Sequence, residues 1–271
     1  MEKFLLSVFL EITGIGSASG IVYKDNSLFI ISDNAGFLYE YNIESAVSKQ
    51  HALISDASEN ILKKNKPDLE AITLKGNELH VFGSGSTEKR NRQFIFNIKT
   101  QQTSEENLAT LYQKIKQTTG ISDDELNIEG ALFYNDHLHL FQRGNGMNSK
   151  NKIIKVNSNN EVQFQTVTLP KIKHVEATFT DAIVVGNKIY FLAAAEDTVS
   201  TYEDGEILGS MIGCLDIETL NIDFAYPISN QHKFEGLTLY KDSENEIEFL
   251  LCEDNDTEEL QSKIYKLTIK K

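Results

Sequence analysis

One short pattern occurs five times along the 271 residues of this chain. In each copy a polar residue precedes a small one, and an apolar segment, a turn rich in Gly, Asn and Asp, and a second apolar segment follow. The copies lie about 47 to 59 residues apart and begin at Ser19, Glu70, Glu129, Glu176 and Glu235. A period of this size is typical of the four-stranded blades of a β-propeller.

Further apolar segments after each copy are interpreted as the outer strands of a blade. Third strands are predicted at 36–42, 92–98, 152–157, 210–217 and 263–269. The fifth copy lacks a fourth strand, and the apolar segment 3–12 precedes the first copy without a partner of its own. Pairing these two segments closes a ring and removes an unpaired sheet edge. The sequence therefore predicts one all-β domain over 1–271, a five-bladed β-propeller of four-stranded blades closed by the N-terminal strand.

The segment 104–116 departs from this strand character. Leu108, Leu111, Tyr112 and Ile115 recur with helical spacing after an acidic start, which predicts one short helical insertion before the third blade. A single helix cannot supply the crossovers of a parallel sheet. Doubly wound α/β and α/β-barrel folds are therefore excluded.

Charge and cysteine content restrict the expected partners and compartment. The chain has 26 Lys and Arg against 40 Asp and Glu, a net charge of −14. Such a chain repels polyanions, so neither nucleic acid nor an anionic membrane is an expected partner. Cys214 and Cys252 lie in apolar segments, as buried reduced thiols do. We therefore expect a cytoplasmic monomer.

The five repeat positions should converge, because the first strand of each blade lines the central axis of a propeller. Four carboxylates at one mouth cannot all remain ionised without protons or a cation nearby. Oxygen ligands in a crowded site suit calcium better than magnesium or zinc. The sequence predicts a calcium ion held by Ser19, Glu70, Glu129, Glu176 and Glu235. The alternative is that these residues only begin strands and hydrogen-bond to the backbone around a water-filled channel.

The loops between second and third strands should open on the same face as this ring. Arg90 and Arg143 lie in two such loops, and paired arginines bind phosphate or carboxylate groups well. We interpret them as an anion site for a small anionic molecule, with Asp33 or Glu253 as the general base. The alternative is a charged loop face that only keeps the protein in solution.

Histidines and cysteines support other chemistry less well. His80 and His139 occupy equivalent positions in two second strands, which favours packing over metal binding. Cys214 and Cys252 have no base nearby in sequence, so core positions are favoured over nucleophiles.

The chain resembles an uncharacterised bacterial five-bladed propeller family over nearly its whole length. Four short segments carry this resemblance, namely 66–71, 83–86, 127–131 and 143–145. More distantly, the ring of one serine and several glutamates is similar to that of calcium-activated nucleotidases of the apyrase type and of phytase-like propellers. This resemblance implies an axial calcium, with Ser19, Glu70, Glu129 and Glu235 at ligand positions. Glu176 stands where the resemblance implies a second hydroxyl ligand.

These observations leave three functional hypotheses open. The first is a calcium-dependent hydrolase of a phosphate ester or anhydride, in which Arg90 and Arg143 neutralise developing charge. The second is a non-catalytic module that binds a sugar, a peptide or a small anion around a structural calcium ion. The third, a lactonase or esterase, shares the calcium site but requires a neutral substrate. Propellers serve all of these functions, so the fold does not decide between them.

Overall fold

The structure is a computed structural model that describes residues 4–147, 149–198, 205–254 and 260–271. Within these residues, five antiparallel sheets of four strands surround a common axis, and a two-stranded hairpin lies between the third and fourth sheets. The innermost strand of each sheet contacts the innermost strands of the two neighbouring sheets. The prediction of a five-bladed all-β propeller is therefore confirmed.

The first strand of the chain, β1 (Phe4–Thr13), belongs to the last blade. Blade one contains β2 (Ala18–Lys24), β3 (Ser27–Ser32), β4 (Phe37–Asn42) and β5 (Val47–Ala52). Blade two contains β6 (Leu69–Lys75), β7 (Glu78–Gly83), β8 (Arg92–Asn97) and β9 (Gln102–Asn107). The helix α1 (Ala109–Thr119) connects blade two to blade three, which contains β10 (Ile128–Tyr134), β11 (His137–Gln142), β12 (Lys152–Val156) and β13 (Val162–Thr166).

The remaining strands form a hairpin and two more blades. The hairpin contains β14 (Lys171–Ile172) and β15 (Val175–Glu176). Blade four contains β16 (Thr178–Val185), β17 (Lys188–Asp197), β18 (Glu206–Asp216) and β19 (Ile222–Ser229). Blade five contains β20 (Phe234–Asp242), β21 (Glu246–Glu253), β22 (Gln261–Lys270) and β1.

Ring closure follows the prediction. β1 runs antiparallel to β22, with Leu6 opposite Leu267 and Ile12 opposite Ser262. Ile12 is fully buried in the cluster shared by blades five and one. The N-terminal strand is therefore the fourth strand of blade five, and its apolar face joins two ends of the ring.

Local sequence explains the tight turns between first and second strands. Asp25 and Asn26 in blade one, and Asn135 and Asp136 in blade three, have positive φ angles. Two-residue hairpin turns that match the twist of the strands require this conformation, which Asn and Asp tolerate well.

The helix begins later than the sequence predicts. Residues 102–107 form β9, the fourth strand of blade two, and the helix starts only at Ala109. Tyr112 and Ile115 are buried against blades two and three, and the helix ends at Gly120, which has a φ angle of 72°. The first four residues of the predicted helical segment, 104–107, therefore belong to β9 and pair with β8.

The core lies between adjacent blades, because each sheet buries both faces against its neighbours. Val22 and Phe29 of blade one, for example, pack with Ile72 and Phe94 of blade two. Cys214 and Cys252 are buried and free, as predicted. Among the described residues, no helix has the length and apolarity needed to span a membrane.

Candidate functional site

Every innermost strand contains a β-bulge near its start. The register with the second strand shifts by one residue around Ser19, Glu70, Glu129, Thr180 and Glu235. A bulge re-aims its side chain and is common next to functional sites. We call these five residues the bulge ring, and they lie at the end of the axis where first strands begin and second strands end, here named the upper face.

Blade four departs from the sequence alignment. Its bulge residue is Thr180, whereas Glu176 lies four residues earlier, in β15 of the hairpin, where it accepts the Leu169 N–H at 3.3 Å. Glu176 and the following Ala177 have the same polar-then-small pattern as the repeat, although the bulge itself lies at Thr180. The ring therefore contains three carboxylates and two hydroxyls, and Glu176 is not one of its members.

The two hydroxyl members connect neighbouring blades. Ser19 Oγ donates to the carbonyl oxygen of Leu69 at 2.5 Å, and Thr180 Oγ1 donates to that of Phe234 at 2.7 Å. Leu69 and Phe234 each precede the next bulge residue. These hydroxyls are thus engaged in holding blades together.

Small residues follow the bulge in four blades because the backbones approach closely at the axis. A Cβ on Gly236 would lie 2.4 Å from Cys252 Sγ and 3.0 Å from the Cα of Gly20. In blade four this position is Asp181, which accepts the N–H groups of Ala182 and Leu237, both at 2.7 Å. Burial raises the pKa of Asp181 well above its ordinary value. Asp181 therefore ties blade four to blade five below the ring.

The bulge ring is surrounded by further buried charged residues, which we call the axial cluster. Polar residues occur two positions before every bulge, namely Ser17, Asp68, Asn127, Thr178 and Lys233. The ends of the second strands add Asp33, Arg143, Glu196 and Asp254, and two loops add Lys66 and Arg90. The carboxylates are Asp33, Asp68, Glu70, Glu129, Glu196, Glu235 and Asp254, and the cations are Lys66, Arg90, Arg143 and Lys233.

One half of the cluster is neutralised by Arg143 and Lys233. Arg143 Nη1 lies 3.0 Å from Glu129 Oε1, and Arg143 Nη2 lies 2.8 Å from Glu196 Oε2. Lys233 Nζ lies 3.1 Å from Glu196 Oε1 and 2.9 Å from Glu235 Oε1. Burial raises the pKa of Glu129 and Glu235 above the ordinary value, although both cations oppose this effect.

The other half contains Lys66 and Arg90. Arg90 Nη1 lies 2.8 Å from Asp68 Oδ2, and Lys66 Nζ lies 3.0 Å from Asp68 Oδ1. Lys66 also forms an ion pair with Asp33. Burial lowers the pKa of Lys66, but the carboxylates of Asp68 and Asp33 outweigh it and raise the pKa above its ordinary value. Lys66 therefore remains charged.

Three carboxylates in this half come close enough to share a cation. One oxygen of each of Asp33, Asp68 and Glu70 lies within 4.8 Å of the others. Asp33 Oδ1 is a buried atom without a hydrogen-bond partner among the described residues. Glu70 forms no hydrogen bond or ion pair with another described residue. Burial raises the pKa of Glu70 well above its ordinary value and that of Asp33 to about 6.

The two arginines of the predicted anion site lie in the axial cluster but are not exposed. The side chains of Arg90 and Arg143 are 8% and 6% accessible, and carboxylates contact both. Arg90 also donates to Ser86 Oγ and to the carbonyl oxygen of Lys63. The predicted anion site requires two available guanidinium groups, and among the described residues both groups are already paired with carboxylates.

Glu253 lies apart from Asp33. Its carboxylate accepts the Tyr265 hydroxyl at 2.9 Å and contacts His232 Nδ1 at 2.5 Å. The next residue, Asp254, enters the axial cluster, because successive side chains of a strand point to opposite faces. Strand alternation is the signal that would have selected Asp254 over Glu253.

The two histidines are packing residues. Gln93 Nε2 lies 2.7 Å from His80 Nδ1, and the His80 ring contacts that of Phe133. His139 is buried, and burial lowers its pKa to about 4. Neither histidine belongs to the axial cluster.

Comparisons with solved structures identify the same fold in two enzymes. The structure of glutaminyl cyclase from Myxococcus xanthus aligns with a TM-score of 0.51 and 12% identity, covering 98% of this chain and 97% of that one. A luciferin-regenerating enzyme aligns with a TM-score of 0.50 and 9% identity, covering 97% and 95%. At these identities the comparisons establish the fold alone, and similarity to apyrases or phytases stays a prediction.

Comparison with sequences gives a family but no function. A search of curated proteins finds no match. Residues 14–269 match a single family over almost the whole propeller. The chain therefore belongs to DUF6929, a family of unknown function.

Proposed function

We propose that this protein is a calcium-dependent hydrolase whose site is the axial cluster, with Asp33, Asp68 and Glu70 as the calcium ligands. The proximity of these three carboxylates is the observation that carries the proposal. Glu70 and Asp33 Oδ1 lack partners among the described residues, so a cation would satisfy both. The cluster's seven carboxylates against four cations also leave an excess of negative charge.

The donor set favours calcium among the common divalent ions. All three side chains offer oxygen, which suits hard cations, and calcium accepts irregular sets of six to eight oxygens. Lys66 contacts two of the three carboxylates, so calcium binding displaces its ammonium group or shifts it aside. Arg143 and Lys233 already pair with Glu129 and Glu235, so we do not count these two carboxylates among the calcium ligands.

Hydrolysis is the reaction that the protonation state of Asp33 supports. Without a bound ion, burial raises the pKa of the half-buried Asp33 to about 6, so its carboxylate is mostly ionised at neutral pH and can bind a cation or accept a proton from water. Calcium, when bound, would polarise a phosphoryl or carbonyl oxygen of the substrate. Asp33 would act as the base only through the oxygen that does not bind calcium.

A second function is a non-catalytic ligand-binding propeller with a structural calcium ion. The pairing of Arg90 and Arg143 favours it, because neither guanidinium is available to stabilise charge that develops on a phosphate. A phosphate ester or anhydride therefore remains one substrate class to test beside lactones and carboxylic esters.

Calcium binding is tested first by thermal unfolding of chelator-treated protein. A ligand that binds only the folded state adds about 2.7 kcal/mol at a hundredfold excess over Kd. For a domain of this size, that gain corresponds to an increase in Tm of about 5 °C or more. Glu70→Gln should abolish the increase, whereas Glu106→Gln, on the exposed outer strand of the same blade, should retain it. Equal Tm values with calcium and with chelator would refute the site.

Turnover separates the two functions. Phosphate esters, nucleotides, lactones and carboxylic esters are assayed with and without calcium, using wild type and Asp33→Asn. Calcium-dependent turnover that Asp33→Asn reduces supports the hydrolase. A calcium-dependent Tm without turnover of any substrate favours the binding module.

A further inference from the structure

A second polar site adjoins the axial cluster on the upper face. It is a cleft between residues 143–147 and 149–150 of blade three on one side and the hairpin β14–β15 on the other. Arg143 and Glu196 line it on the side of the axis, and Glu176 and Lys150 line it further out. The cleft thus begins where the axial cluster ends.

The walls of the cleft are held in place by buried hydrogen bonds. Asn151 donates to the carbonyl oxygen of Ala177 at 2.9 Å and accepts the N–H of Phe179 at 3.1 Å. A Cβ on Gly144 would lie 2.3 Å from the backbone N of Asn151, so only glycine allows this turn of the loop. These contacts fix blade three to blade four and preform the cleft.

The size of the cleft selects a small ligand. Its volume is about 170 Å³. Pockets for drug-sized molecules occupy about 300–1,000 Å³. This volume suits a ligand of the size of a free amino acid.

The charges of the cleft are of both signs, and two of them have no ion-pair partner among the residues that the structure describes. Lys150 is exposed and forms no ion pair or hydrogen bond with a described residue. Glu176 is half-buried, accepts only the N–H of Leu169, and forms no ion pair within the described chain. They adjoin the hydrogen-bonded residues Asn151 and Ala177, yet they do not pair with each other. Opposite charges that line one small cleft without pairing with each other suit a zwitterion.

Arg143 forms the inner end of the cleft. Its guanidinium has five N–H groups, of which three donate to Thr178, Glu129 and Glu196. The two remaining N–H groups have no acceptor among the described residues. Because Glu129 and Glu196 already pair with Arg143, we assign it to the wall of the cleft and not to ligand binding.

We propose that this cleft binds a small zwitterion, a free α-amino acid, with Lys150 contacting its carboxylate and Glu176 its ammonium group. The proposal rests on the cleft and not on calcium. It assigns Glu176 to ligand binding.

The test is isothermal titration of chelator-treated protein with the twenty free L-amino acids. Each amino acid that binds is compared with its analogue lacking the amine and its analogue lacking the carboxylate, as in leucine, 4-methylpentanoate and 3-methylbutylamine. Wild type should bind at least one amino acid, and each analogue should bind at least about tenfold more weakly, because a hydrogen bond to a charged group is lost.

Two variants assign the contacts. Lys150→Met should weaken binding of the amino acid at least about fivefold but leave binding of the amine analogue unchanged. Glu176→Gln should weaken binding of the amino acid by a similar factor but leave binding of the carboxylate analogue unchanged. Lys49→Met and Glu44→Gln, on blade one, are matched controls that should bind as wild type does. Absence of binding by all twenty amino acids, equal binding of the analogues, or wild-type affinity in both cleft variants would overturn the proposal.

Discussion

His139 should make the stability of the propeller fall on mild acidification. Burial lowers its pKa from 6.5 to about 4, and the nearby Lys155 adds to this effect. Between these two values the unfolded chain binds the proton and the folded chain does not, so stability decreases as pH falls. At about pH 5 this single group costs about 2 kcal/mol relative to about pH 7, with a limit of about 3.4 kcal/mol below pH 4.

Urea unfolding of wild type and His139→Leu at about pH 7 and about pH 5 measures this term. Asp33 and other carboxylates with raised pKa values act in the opposite direction, but they are common to both proteins and cancel in the difference. The variant should lose about 2 kcal/mol less than wild type on acidification. His174→Gln, which replaces a histidine that is 67% exposed, should behave as wild type. Equal losses in wild type and His139→Leu would refute the reasoning.

Two further predictions concern the ring and the axial cluster. Deleting residues 4–12 removes the outer strand of blade five and exposes the edge of β22, so the shortened protein should aggregate or lose cooperative unfolding. A melting curve like that of wild type would contradict ring closure as a source of stability. Lys233→Met removes the cation that pairs with Glu196, Glu235 and Asp254, and it should lower the free energy of unfolding in urea by about 3–5 kcal/mol. The control Lys171→Met, at an exposed position, should lower it by less than about 0.5 kcal/mol. Similar values for both variants would show that protons already neutralise these carboxylates.

The sequence was sufficient for the blade count and for ring closure because both depend on hydrophobic periodicity and on counting strands. The unpaired N-terminal strand and the incomplete fifth repeat predicted the pairing of β1 with β22 correctly. Four of the five bulge positions, Ser19, Glu70, Glu129 and Glu235, were also identified, because a small residue after each is required at the axis.

Blade four could not be aligned from the repeat alone. The hairpin β14–β15 is an insertion with its own Glu and Ala, while the true bulge is followed by Asp181 in place of a small residue. The polar residue two positions before each bulge does not resolve the ambiguity, because His174 precedes Glu176 as Thr178 precedes Thr180. Only the structure shows that Thr178 is buried and His174 exposed.

The pairing of charges was beyond the sequence. Arg143 reaches Glu196 across 53 residues of chain, and Arg90 reaches Asp68 across 22. Whether an arginine is available to a ligand or paired within the protein depends on these distant contacts. Local patterns identify charged residues near a site but do not show which of them are already neutralised.

The seam between β1 and β22 also sets the order in which the molecule can be completed during synthesis. Leu6 and its partner Leu267 are about 260 residues apart, and ribosomes add about 5–20 residues per second. β1 therefore waits for tens of seconds without its partner, with apolar residues such as Leu6 and Ile12 accessible to other chains. Blades one to four can form as the chain emerges, but blade five forms last, and this long-range pairing should limit the rate of folding.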